Sequence, residues 1–363
     1  MKKIVFGIDL GNKLVKMGKV IDGVIQKDIT IIPSRYMDSS FIGTGKFDVF
    51  SQKERASKDV KVFQRLNDNS SYLFGKDINS LNKDEYVIES LGFGLSRYET
   101  QAFKNLLSFS IAELANDLST KDEILSVSLV TGVPTSDYVP TIMKAVNKLA
   151  KTQHTVSIKI GKRTKHINVN IVDVSILPQP IGTAYDLWID DDFNVNDDFY
   201  NKRVGIIDVG GGTKLYDTIQ NMIPEEENRS QKETGVYTLY DRIVERLEMS
   251  GELNVPNSFE IEKIIAEGIS TKSFTYSPNA SKKIDITKIV QEEIDAYTRQ
   301  TVAETLSVFK NIAKYDTFIF TGGGSLILNQ DIVKNELPNA LFVKNPVISN
   351  LKGYMKSAVV NSK

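Results

Sequence analysis

The chain has 363 residues, which at roughly 150 residues per domain makes two or three domains with a core that needs no crosslinks, and its 41% hydrophobic and 25% charged residues exclude the disordered and collagen-like classes. It contains no cysteine, which excludes disulfides, thiolate metal sites and cysteine nucleophiles, and its two histidines, His154 and His166, are too few for a histidine metal centre or triad. The 45 basic and 46 acidic residues leave a net charge of −1, not the footprint of a protein that grips nucleic acid directly.

Residues 1–7 begin like a signal peptide, but Asp9 interrupts the apolar run too early. The β-branched stretch 4–9 is instead predicted as a first strand, followed by strands at 14–20 and 24–32, the last ending at Pro33. Between 34 and about 98 the character changes, with Gly43-Thr44-Gly45 and Asn67-Asp68-Asn69-Ser70 breaking short apolar runs, and an inserted subdomain is expected there. Apolar residues at Phe103, Leu106, Leu107, Ile111, Leu114 and Leu118 predict one helix over 97–118. A buried strand follows at 124–131, then a helix at 139–151 and a hairpin of 155–160 with 165–172. A linking helix is predicted at 180–188.

The second half repeats the first. Phe6-Gly7-Ile8-Asp9-Leu10-Gly11 and Gly205-Ile206-Ile207-Asp208-Val209-Gly210 share one strand-Asp-x-Gly unit, which predicts two related α/β domains. Strands are expected at 204–208, 215–220 and 317–321, and helices at 235–248, 258–267, 287–314 and 325–336. The acidic stretch Asp190-Asp191-Asp192 with Asp197-Asp198 lacks the spacing of a calcium loop and reads as a solvated loop.

Three glycine turns follow three strands: Asp9-Leu10-Gly11-Asn12, Asp208-Val209-Gly210-Gly211-Gly212-Thr213 and Thr321-Gly322-Gly323-Gly324-Ser325. Glycine turns let backbone N–H groups approach an anion. A tight hairpin accounts for any one of them without a ligand, whereas three in one chain, two after a strand-final Asp, point to phosphate binding. No Gly-Lys-Ser/Thr follows a glycine run, and no Gly-x-Gly-x-x-Gly opens a helix after the first strand. Carboxylates beside phosphate call for a cation. Magnesium (Mg2+) keeps most of its waters, so Asp9 and Asp208 acting through water would suffice. Lys16, on the returning strand, either reaches a phosphate as a point charge or is a surface lysine.

These motifs, with Gln179-Pro180-x-Gly182 and Asn350-Leu351-Lys352-Gly353-Tyr354, resemble in order the five nucleotide-site motifs of the superfamily of actin, the large heat-shock chaperones and the sugar kinases. Within it the chain looks most like the bacterial actin-like proteins of the plasmid-segregation, ParM type, on Ile32-Pro33-Ser34-Arg35, Val130-Thr131-Gly132-Val133-Pro134 and Leu177-Pro178-Gln179-Pro180-Ile181-Gly182. The resemblance implies an actin-like α/β fold of two domains, 1–178 and 179–349, with a nucleotide between them and a C-terminal helix, 350–363, returning to the first. It implies a slow ATPase that polymerises with itself and a DNA-bound adaptor protein of a partition system, with no direct nucleic-acid or membrane contact. ATP, or GTP, with Mg2+ is the expected cofactor. Asp9 and Asp208 would handle magnesium and its waters; Gly11, Asn12, Lys13 and Lys16 the phosphates; and Gly210, Gly211, Gly212 and Thr213 their other side. Gln179 would orient the attacking water, unless it merely starts a helix. Gly322, Gly323, Gly324 and Ser325 would line the adenosine pocket, with Gly235 at the head of its helix also on the nucleotide side. Glu262 and Lys263 would touch ribose and base, or form an ordinary helical charge pair. Lys214 stands where relatives often carry threonine, and is expected either near the γ-phosphate or in solvent.

A small-molecule kinase of the superfamily would need a catalytic Asp base and a substrate pocket, and no sugar-site signature is visible. A cell-shape or division homologue usually carries a membrane-seeking end. With no apolar run of about 18 residues, the expected location is cytoplasmic.

Overall fold

The computed structural model describes residues 3–41 and 61–361, apart from 67, 77, 79–83, 91, 93, 121–122, 222 and 252–253. The Gly43-Thr44-Gly45 break and Asn67 lie outside the described residues. Among the described residues, no helix is long and apolar enough to cross a membrane. The chain forms two compact units, one running up to Val195 and resuming at Asn350, the other Asn196–Ser349. The first unit thus extends past the expected boundary at 178 and takes in the helix Gln179–Trp188.

The first unit carries β1 (Ile4–Leu10), β2 (Leu14–Ile21), β3 (Val24–Ile25), β4 (Thr30–Pro33), β5 (Arg35–Asp38), β6 (Lys61–Arg65), β7 (Tyr72–Phe74), β8 (Val87–Glu89), β9 (Ile124–Val133), β10 (His154–Ile160) and β11 (Arg163–Pro178). They form one sheet in the order β3-β2-β1-β9-β11-β10-β6-β7-β5-β8, with β4 also on β2. The single strand expected at 24–32 is therefore two short ones, and the 34–98 region continues the main sheet through β6 on β10. In the second unit, β12 (Arg203–Val209), β13 (Lys214–Gln220) and β14 (Ile223–Lys232) precede a separate hairpin, β15 (Thr275–Asn279) with β16 (Lys282–Asp285). With β17 (Thr317–Thr321) and β18 (Ala340–Phe342), the main sheet runs β14-β13-β12-β17-β18.

The sequence repeat is a repeat of topology. β1 pairs antiparallel with β2 and parallel with β9, which pairs parallel with β11. β12 likewise pairs antiparallel with β13 and parallel with β17, which pairs parallel with β18. The first strand of each hairpin is buried on both faces, as continuous apolar runs such as Ile4–Leu10 require.

On one face of the first sheet, the helix Gln101–Ala115 buries Phe103, Leu106, Leu107, Ile111 and Leu114. Phe109 sits at the centre of an aromatic group, its ring 5.8 Å from Tyr36, 5.3 Å from Phe63 and 5.7 Å from Phe74. The helix expected over 97–118 is broken at Thr100, whose Oγ1 accepts from Phe103 N at 3.1 Å and so caps a new helix after the short one at Leu95–Glu99. On the other face, Leu351, Tyr354, Met355 and Val359 of the helix Ser349–Val360 pack on Val5, Val20 and Val130. This helix crosses Gln179–Trp188 at Gly182 and Gly353. A Cβ at 182 would lie 2.5 Å from Asn350 O and one at 353 would lie 2.5 Å from the Gly182 carbonyl carbon, so only glycine allows the approach. Asn350 Oδ1 locks the crossing by accepting from Thr183 Oγ1 at 2.8 Å and Thr183 N at 3.2 Å.

The second core gathers Ile207, Leu239, Ile243, Ile261, Val290, Tyr297 and Phe318 between its sheet and the helices Val236–Met249, Ser258–Gly268 and Thr287–Phe309. Two further expectations are corrected here. The long helix stops at Phe309, where Lys310 takes φ 26°, and 325–336 holds a 3-10 turn and a short helix, Gln330–Glu336, capped by Asn329.

Candidate functional site

In the first unit the β1–β2 turn is closed by Gly11 N donating to Leu14 O at 3.1 Å. Asp9 and Lys16 are register partners on the hairpin, so their side chains share a face. Lys16 Nζ donates to Asp9 Oδ2 at 2.8 Å, and Gln179 Nε2 donates to Asp9 Oδ1 at 3.1 Å. Asp9 is 1% exposed and Gln179 8%, so this carboxylate is buried with a partner on each oxygen, as a buried charge requires. Three residues nominated by the sequence, from β1, β2 and the start of the helix Gln179–Trp188, are brought together. Asn12 and Lys13 stand half-buried in the turn, where Asn12 Oδ1 is buried without a hydrogen bond and Lys13 O accepts from Ser34 N at 2.9 Å. Arg97, which the apolar periodicity of its segment concealed, donates from Nη2 to Leu10 O at 2.9 Å, directly behind the turn.

The second unit repeats this turn, with Gly210 N donating to Thr213 O at 2.7 Å. Its carbonyls are held by the next helix: Gly210 O accepts from Val236 N at 3.1 Å, Gly211 O from Tyr237 N at 3.0 Å and Gly212 O from Gly235 N at 3.2 Å. The first N–H groups of Val236–Met249 are thus used on the loop itself. Gly235 packs under it, where a Cβ would lie 2.5 Å from Thr213 N. Asp208 is 7% exposed and pairs in register with Thr321. Gly322, at φ 78°, turns so close over the end of β12 that a Cβ would lie 2.5 Å from Val209 O and against Asp208 Oδ1. Gly323 and Gly324 continue this turn, and Ser325 Oγ donates to Gly322 O at 2.8 Å, so its hydroxyl closes the turn. Lys263 is exposed and pairs with Glu267 at 3.9 Å, while Glu262 is half-buried on the same helix.

Lys214 departs from both expectations. Its side chain is fully buried, with Nζ 2.9 Å from Glu304 Oε2 and 4.3 Å from the centre of the Tyr297 ring. Glu304 also accepts from Tyr216 Oη at 3.2 Å, Thr234 Oγ1 at 3.1 Å and Gln300 Nε2 at 2.8 Å. Burial pulls the Lys214 ammonium below its ordinary value, against the hydrogen bond and charge of Glu304. Burial pushes the Glu304 carboxyl up, but Lys214 and the other donors outweigh it and hold the acid below its ordinary value. The pair ties the residue after Thr213 to the helix Thr287–Phe309.

Among the described residues, no cluster of three or more His, Cys, Asp or Glu could cage a metal. Asp9, with both oxygens already engaged, fits a magnesium ion through the ion's waters better than by direct ligation.

The family model for the N-terminal domain of actin like proteins matches residues 7–182, and that for the Alp7A C-terminal domain matches 203–341. A search of curated protein sequences finds no match. Among solved structures, the apo psk41 ParM protein is similar with a TM-score of 0.73 and 23% identity, over 100% of this chain and 98% of that one. Bacillus thuringiensis ParM with AMPPNP is similar at a TM-score of 0.70 and 16% identity, over 100% of both chains. The Alp12 filament structure is similar at 0.63 and 16%, again over 100% of both. With matched hairpins in both units and family matches spanning nearly the whole chain, the chain belongs to the actin-like proteins.

Proposed function

We propose that the protein is a magnesium-dependent ATPase whose nucleotide state governs its assembly into filaments, and that the filaments move plasmid DNA through a DNA-binding adaptor protein. The observation that carries this reading is the buried Asp9 held between Lys16 and Gln179, beside a glycine hairpin that recurs at Asp208. The similarity to a ParM solved with an ATP analogue and to a protein solved as a filament supports the nucleotide and the assembly. The near-zero net charge supports an adaptor over direct DNA contact.

Hydrolysis needs positioning and charge neutralisation more than a covalent nucleophile. The Gln179 amide N–H is committed to Asp9, which leaves its carbonyl oxygen to accept from an attacking water and aim it. Lys16 neutralises Asp9 until a phosphate competes for its ammonium. With the Gly11 and Gly210 N–H groups closing their own turns, the following N–H groups of each turn serve the phosphate oxygens, and the turn at Gly322 to Ser325 serves the adenosine. Asp9 and Asp208 would hold magnesium through its waters, and the bound ion would supply neutralisation of phosphate charge.

Incubation with γ-labelled ATP and magnesium tests the activity. Label released as inorganic phosphate is the expected result. Label on an added small-molecule acceptor would make the protein a kinase, and no release at all would remove the ATPase.

A further inference from the structure

Arg97 lies on the short helix Leu95–Glu99 and is 3% exposed. Its Nη2 donates to Leu10 O at 2.9 Å, its Nε is buried without a hydrogen bond, and no carboxylate of the described residues lies within 4.0 Å of it. The two acids nearest in charge, Asp137 and Asp9, act on it through space without pairing directly. Asp137 accepts from Tyr98 Oη at 2.8 Å and Gly94 N at 3.0 Å, and Asp9 is held by Lys16 and Gln179. The Tyr98 side chain also hydrogen-bonds the guanidinium, and the rings of Tyr98 and Phe103 lie 5.8 and 5.5 Å from its carbon. A guanidinium keeps its charge under such burial, and a buried charge without an ion pair is costly unless an anion nearby uses it. Leu10 ends β1 and precedes Gly11, so the charge stands directly behind the first glycine turn.

We propose that Arg97 is a positioning residue of the nucleotide site: it pins the first phosphate turn through the Leu10 carbonyl and supplies a buried positive charge that favours the polyphosphate. This inference rests on the nucleotide-binding reading above.

Titration of the full-length protein with ATP and with adenosine tests it, comparing wild type with R97M, R97Q and R97K. The ratio of the two affinities is the quantity to read, because partial unfolding lowers both alike. The side-chain amide introduced by R97Q can still donate to the Leu10 carbonyl, which keeps the turn anchored if the methionine variant does not fold. The ratio is expected to fall about tenfold in R97M and R97Q, an attraction of one charge at intermediate dielectric, with adenosine affinity unchanged in R97Q, and to stay within about threefold of wild type in R97K. An unchanged ratio in R97Q, or an equal fall in R97K, would show that Arg97 is only a structural peg. A wild type that binds neither ligand would overturn the nucleotide reading itself.

Discussion

The contact of 3.1 Å between Gln179 and Asp9 is where the hydrolysis reading becomes a question about one side chain. Replacing Gln179 with Ala removes the group proposed to aim the water but leaves in place the glycine turns proposed to hold phosphate. Phosphate release is expected to slow by about a hundredfold, the usual cost of losing one well-placed polar group, while ATP affinity measured by titration stays within about threefold. Lys214 poses a different residue-scale question, since its charge is buried against Glu304. Lys214→Met leaves that acid without its cation and is expected to cost about 2–3 kcal/mol in urea unfolding, less than a fully buried pair because Glu304 keeps other donors. Adding Glu304→Gln should recover most of the loss; no recovery would mean that lost packing, not charge, sets the cost. Nothing in Thr213-Lys214-Leu215 announces this burial. The partner stands 90 positions along the chain, and burial of a long charged side chain depends on that distant acid. Arg97 was concealed for a related reason: it opens a segment read for its apolar spacing, and its contact with the Leu10 carbonyl is to backbone, which no sequence pattern records.

At the scale of elements, the crossing of Gln179–Trp188 with Ser349–Val360 depends on Gly182 and Gly353. Gly353→Ala forces the helices apart and is expected to destabilise the protein by about 2–3 kcal/mol in the same unfolding measurement; an unchanged midpoint would show that the crossing can relax. His154 joins β10 to two helices, its Nε2–H donating to Ala150 O at 2.9 Å and its Nδ1 accepting from Ser108 Oγ at 3.1 Å. Burial holds its pKa below the ordinary value, so below about pH 6.5 the unfolded chain binds the extra proton. The associated stability is complete above that pH and is lost as pH falls toward the folded value. Unfolding at pH 7.5 and pH 5 should therefore show a larger drop for wild type than for His154→Gln. Strands with continuous apolar runs, such as β1, β12 and β17, were legible in the sequence because burial on both faces dictates their composition. β14 was not. It is a polar edge strand, Ile223–Lys232, held by Arg203 on Glu225 at 2.6 Å and Arg229 on buried Asp217 at 3.0 Å. Helix breaks at Thr100 and Lys310 escaped for the opposite reason, since apolar spacing continues past both while a cap and a backbone turn end the helix.

For the molecule as a whole, the duplicated strand-Asp-x-Gly unit governs both composition and topology. Two sheets share one pairing scheme, and each turn closes with the same glycine-to-carbonyl hydrogen bond. The turns at Gly11, Gly210 and Gly322 were legible because each glycine lies where the chain turns tightly against backbone, most closely at Gly322, where φ is 78° and a Cβ would lie 2.5 Å from Val209 O. Their mutual support, such as Gly235 under the second turn, required the fold. The balance of 45 basic against 46 acidic residues gives the chain no net positive charge with which to hold DNA directly, which is why the proposed route to DNA runs through an adaptor. Filaments are the central claim, and electron microscopy of the purified protein with magnesium and ATP, beside a nucleotide-free control over a range of protein concentrations, tests it most directly. Filaments that require nucleotide are the expected result; dispersed protein in ATP at every concentration would contradict the account.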